Sequence, residues 1–202
     1  MNYRNEVILA GRIVENFKFH HNVGVRVFQG KIEVERLSGI KDIVILQITE
    51  RKLRLTERLQ EDDYVFVCGE IRTYKYVGYD NKVHNKNYVY VQNLYITTDI
   101  RDMNNEVRIS GVITKKGTMR YTRNGKKVIE VIVATKSNDG HQQAFVPVIF
   151  WETVAEKVQY DCEVKDEVEI KGRFQSRDYI KKWENEIELR TTFEVSAQQL
   201  NL

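Results

Sequence analysis

The chain has 202 residues, 42% of them hydrophobic and 30% charged, with a net charge of +3. That length fits one large or two small domains, and the composition is that of a globular protein rather than a disordered one. The charge excludes a uniformly basic protein, so any nucleic-acid footprint must come from clustering. The longest apolar runs fall short of the roughly 18 residues of a spanning helix.

In chain order the sequence says one thing twice. Residues 5–13 read NEVILAGRI and residues 105–113 read NEVRISGVI. Residues 65–76, VFVCGEIRTYKY, recur as VEIKGRFQSRDY at 168–179. Internal repetition at this spacing predicts two copies of one supersecondary unit. The expected domains are residues 1–100 and 101–202, joined by a short polar segment near 98–104.

Period-two patterning dominates both halves, which predicts strands. In the first half these are expected at 5–13, 25–34, 41–48, 64–71 and 88–96. In the second half VIEVIVA at 128–134, AFVPVIFW at 144–151, 168–174 and 186–195 read the same way. Each half also has one expected helix between its third and fourth strands. In 50–60 Leu55 and Leu59 stand four apart; in 152–160 Val154 and Val158 do. Turns are expected at Asp80-Asn81, Asn124-Gly125 and Asp139-Gly140. The layout β–β–β–α–β–β predicts an all-β fold of two tandem OB-fold five-stranded barrels, each with a small helix.

The chemistry-bearing residues form no enzyme constellation. His20 and His21 are expected on opposite faces of a strand, and His84 and His141 stand apart, so no metal ligand set is read. Cys68 reads as an unpaired core thiol, and the two cysteines lack metal spacing, which suits a reducing compartment. Asp62 and Asp63 read as a turn before the fourth strand. No nucleotide-binding loop motif occurs, and no cofactor, metal or catalytic residue is expected.

Basic residues interleaved with aromatics carry a clearer signal. Counted alternately from Gly172, one strand face holds Arg173, Gln175, Arg177 and Tyr179, followed by Lys181, Lys182 and Trp183. The matching face in the first half holds Glu70, Arg72, Tyr74 and Tyr76, with Lys75 between them. Arg120, Tyr121, Arg123, Lys126 and Lys127 surround the Asn124-Gly125 turn. Cations attract phosphates and release counterions, and rings stack on unpaired bases without reading them.

Residues 105–199 resemble the bacterial single-stranded DNA-binding protein (SSB) family, through NEVRISGVI, RYTRNGKKVIEVIVAT at 120–135, FVPVIFWETVAE at 145–156 and VEIKGRFQSRDY. The first half shares only NEVILAGRI and GEIRTYKY. The resemblance implies base-stacking roles for Phe145, Trp151 and Tyr179. It implies phosphate contacts for Arg120, Arg123, Lys126, Arg173 and Arg177. Ile43 and Thr49 stand where the second half has Phe145 and Trp151, so two stacking platforms are absent there; Tyr74, Tyr76, Tyr79 or the Phe17–Phe19–His20 region could substitute. The family also implies a homodimer with four OB units and single-stranded DNA as partner, while the cysteine usage and the lack of a spanning stretch make a cytoplasmic location without a membrane the expectation. The chain ends EVSAQQLNL without the family's acidic tip, so tail-mediated enzyme recruitment is not expected. The expected function is sequence-independent coating of single strands in replication, recombination or repair. Alternatives are an OB-fold adaptor of a primosome-like assembly and single-stranded RNA binding.

Overall fold

A computed structural model describes residues 3–36, 38–54, 59–78, 81–98, 105–182 and 187–202, the backbone alone at 181, 182, 187 and 188. The first half contains β1 (Asn5–Asn22), β2 (Arg26–Glu35), β3 (Lys41–Thr49), α1 (Glu50–Leu53), β4 (Tyr64–Val77) and β5 (Val83–Ile96). The second contains β6 (Asn105–Lys116), β7 (Arg120–Tyr121), β8 (Lys127–Lys136), β9 (Gln143–Trp151), α2 (Glu152–Asp161), β10 (Glu167–Lys182) and β11 (Ile187–Asn201).

Each half closes into a five-stranded barrel. β1 pairs with β2 and β4, β2 with β3, and β4 with β5, all antiparallel; a short parallel pairing of β3 with β5 shuts the ring. β6, β8, β9, β10 and β11 repeat this scheme, including the parallel β9–β11 closure. This is the OB-fold order. Inward positions are almost wholly apolar: Leu9, Ile13, Ile32, Leu46 and Ile71 in one barrel, Ile109, Val133, Phe150, Phe174 and Val195 in the other.

Two residues of the repeated motif have structural roles. Gly11 and Gly111 each face inward against the neighbouring strand, β2 or β8, and a Cβ there would run into the backbone oxygen of Glu33 or Ala134. Only glycine permits that approach. Asn5 is fully buried and completes a ladder rung with its side chain: its amide donates to the Ile71 carbonyl at 2.9 Å, and Ile71 N–H donates to its Oδ1 at 2.8 Å. Asn105 does the same with Phe174 at 2.7 and 2.8 Å.

The barrels join edge to edge. β1 pairs antiparallel with β6, and Val7 lies opposite Val107, its own repeat counterpart. A pseudo-two-fold axis therefore passes between them. It emerges where the long β4–β5 and β10–β11 arms meet. Tyr76 pairs with His84 on one arm as Tyr179 pairs with Arg190 on the other, and His84 Nε2 lies 3.5 Å from Arg190 Nη1. Buried Asp42 accepts from Arg36 at 2.6 and 2.7 Å, and also from the N–H and hydroxyl of Ser176 across the junction.

Three expectations need correction. The helix over 50–60 exists only as Glu50–Leu53 among the described residues: Leu55 lies outside them, and Leu59 and Gln60 are not helical. There Asp63 accepts from Gln60 N–H at 2.8 Å and Asp62 takes φ 75°, a turn geometry that ends helical propagation. Cys68 is no core thiol; it occupies the half-buried outward side of β4, and Cys162 is the buried one. His20 and His21 do not diverge. A register irregularity between Phe19 and His21 turns them together, with Nδ1 atoms 2.6 Å apart. The Asp80-Asn81 turn is described only from Asn81, at φ 55°.

Candidate nucleic-acid interface

Side chains of paired residues project from the same side of a sheet. In the second barrel Val131, Val133, Val146, Val148 and Phe150 point inward. Their neighbours therefore point out, and register builds one continuous outer face. Arg120, Val128 and Trp151 form a row across β7, β8 and β9. The parallel β9–β11 pairing brings Ile149 beside Ser196, and Ser196 lies opposite Arg173. Gln175, Arg177 and Tyr179 follow along β10.

Trp151 is 37% exposed, and its indole N–H donates to Ser196 Oγ at 3.2 Å, which fixes one edge of the ring. Tyr179 is exposed to the same extent and Tyr121 more so. Phe145 is half-buried, and its backbone N–H donates to Thr73 Oγ1 of the first barrel at 2.9 Å. A strand on this face would thus meet the three rings of Phe145, Trp151 and Tyr179, whereas Tyr121, paired with Lys127, projects from the other side of the sheet.

Among the described residues Arg120, Arg123, Lys126 and Arg173 form no ion pair, so their charge is available to phosphate. Lys127 is paired with Glu156. Arg177 is restrained: its guanidinium lies 3.1 Å from Glu194 and 3.8 Å from Glu130. Burial pushes the Glu194 carboxyl up from its ordinary value, and Arg177 opposes that. Glu194→Gln removes the carboxylate competing with phosphate for Arg177. Affinity for single strands should rise several-fold and the slope of log K against log salt steepen by about 0.7, as fluorescence titrations at two salt concentrations would read.

The first barrel arranges its residues differently. Arg72 lies 2.6 Å from buried Glu70, stands 3.6 Å over the Tyr90 ring and reaches Asp139 of the second barrel at 3.7 Å. Glu70 also accepts from Asn138 N–H at 2.7 Å. Arg72 thus ties the barrels together. Tyr74 is half-buried among Tyr76 and Tyr88, with centroids 6.2 and 5.8 Å away, and burial raises its phenol pKa. Lys75 is exposed on the alternate side of β4. Tyr88 and Tyr90 were not singled out in the sequence, yet they share the outward side with Tyr74. The alternation YVYV at 88–91 was the available signal. Strand β10 runs on through Lys181 and Lys182, and Trp183 lies outside the described residues, as does Tyr79. No metal-capable group of three or more ligand side chains occurs among the described residues.

Residues 104–202 match the profile described as "Single-strand binding protein family". No curated protein matches the sequence significantly. Among solved structures, the wild-type single-stranded DNA binding protein from Thermus aquaticus superposes with a TM-score of 0.77 at 18% identity, covering 100% of this chain and 93% of that one. A deletion mutant of the same protein gives a TM-score of 0.77 at 17% identity, covering 99% and 94%. At these identities the structural likeness concerns the fold.

Proposed function

We propose that the chain, whose residues 104–202 match the profile of the single-strand binding protein family, coats single-stranded DNA without reading its sequence. The observation that carries this reading is the outer face of the second barrel, where Trp151, Tyr179 and Phe145 are interspersed with Arg120 and Arg173, which form no ion pair among the described residues. Cations draw in the phosphates, and the rings hold bases by stacking, which every base accepts. The first barrel contributes less, because Arg72 is engaged at the junction and isoleucine and threonine replace the two β9 aromatics. The protein acts as a binding protein rather than an enzyme, in the cytoplasm, serving replication, recombination or repair. No helix among the described residues is long and apolar enough to cross a membrane. A homodimer would present four barrels.

The test is a titration with a poly-dT oligomer of several tens of nucleotides, reading tryptophan fluorescence. Quenching with tight binding that weakens as salt rises supports the reading. No quenching and no binding at low salt sinks it. A matched RNA oligomer in the same assay decides between DNA and RNA.

A further inference from the structure

We propose that the cleft between the two barrels holds one nucleotide of the bound strand and carries that strand from the outer face of one barrel to that of the other. The inference rests on the single-strand reading above and adds where the strand crosses.

The cleft has a volume of about 170 Å³. That equals the liquid volume of about five or six waters, and it is well below the roughly 300 Å³ at which drug-sized ligand pockets begin. It suits one base and excludes a folded oligomer. Its walls come from both faces. Tyr76, His84 and Lys86 belong to the β4–β5 arm of the first barrel; Phe145, Tyr179 and Thr192 belong to the second. The Tyr76 and His84 rings lie together, 5.5 Å apart at 34°. Tyr76 and Tyr179 are repeat counterparts, so the cleft lies where the pseudo-two-fold axis emerges. A nucleotide seated there touches both binding faces at once.

The lining suits each part of a nucleotide. Phe145, Tyr76 and Tyr179 offer apolar ring surface to a base. Lys86 offers an ammonium whose partial burial, with Lys31 nearby, lowers its pKa. A cation held partly out of water near a second cation gains from an anion beside it, and the backbone phosphate supplies one. The junction contacts of Thr73 with Phe145, and of Asp42 with Ser176, hold the walls in place before DNA arrives.

A dT oligomer of about 35 nucleotides, long enough for two OB units, is prepared with scattered 5-iodouracil and photocrosslinked to the full chain. Adducts are then mapped by mass spectrometry. The expected result is adducts on Tyr76 or His84 as well as on Trp151. Lys86→Glu should abolish the first set, spare the Trp151 adduct and lower affinity about tenfold. Adducts on Trp151 with none on Tyr76 or His84, or an unchanged affinity in Lys86→Glu, overturn the crossover while leaving single-strand binding standing. Absence of every adduct together with absence of binding removes both.

Discussion

Replacing Trp151 and Tyr179 together by alanine should cost about 2–6 kcal/mol of single-strand affinity, since each base–aromatic stack is worth roughly 1–3 kcal/mol. Both rings are 37% exposed on the outer face, and neither belongs to the buried set that fills the barrel. The barrel should therefore survive the change. Trp151 is the more constrained of the two, because the Ser196 hydroxyl holds its indole edge and leaves the ring ordered before DNA binds. A ring already ordered loses less entropy on stacking. Fluorescence anisotropy with labelled poly-dT measures the loss, with far-UV circular dichroism as the control for folding. A loss under about threefold in a folded double variant would mean that this face is not the base platform.

Asp42→Ala should lower stability by about 3 kcal/mol, the lower end for breaking a buried pair. For a chain of this length that corresponds to a fall in melting temperature of about 6–12 °C. Asp42 is fully buried and accepts four hydrogen bonds, two from Arg36 and two from Ser176. Removing the carboxylate orphans the Ser176 N–H and leaves Arg36, 23% exposed at its side chain, next to an empty site. Because Ser176 belongs to the second barrel, the damage falls on the junction as well as on the first barrel. Scanning calorimetry should show the fall; a melting temperature within about 1 °C of the parent would mean that the junction does not depend on this cluster.

Strand parity explains why so much of the candidate face was legible in the sequence. Alternation from Gly172 places Arg173, Gln175, Arg177 and Tyr179 on one side whatever the rest of the chain does, and the structure has them there. The same arithmetic would have found Tyr88 and Tyr90 beside Tyr74. The exception is the tip of β1. An irregular register there turns His20 and His21 toward each other, and a bulge is a pairing event that a single strand's pattern does not announce. Among the described residues the helix expected over 50–60 is seen at Glu50–Leu53, and the far end of that span is a turn: Asp62 and Asp63 are tied to Ile13 of β1 through backbone bonds at 2.8 and 2.9 Å, a pairing that leucines four apart do not announce.

The sequence by itself determined the duplication, the order of elements in each barrel and, for most strand residues, which side faces out. Those properties follow from residue period and turn chemistry, which act over a few residues. Tertiary structure alone decided what each outward residue meets. The sequence offers both Arg72 and Arg177 to phosphate; the structure sets Glu70, Tyr90 and Asp139 around the first and Glu194 and Glu130 beside the second. Tyr76 and Phe145 line one cleft although they come from different barrels. Such meetings depend on pairing between distant segments, as when Asp42 binds a residue 134 positions away. Coulombic attraction, desolvation and stacking all act through space, so their outcome at each residue waits on the register that brings β1 against β6.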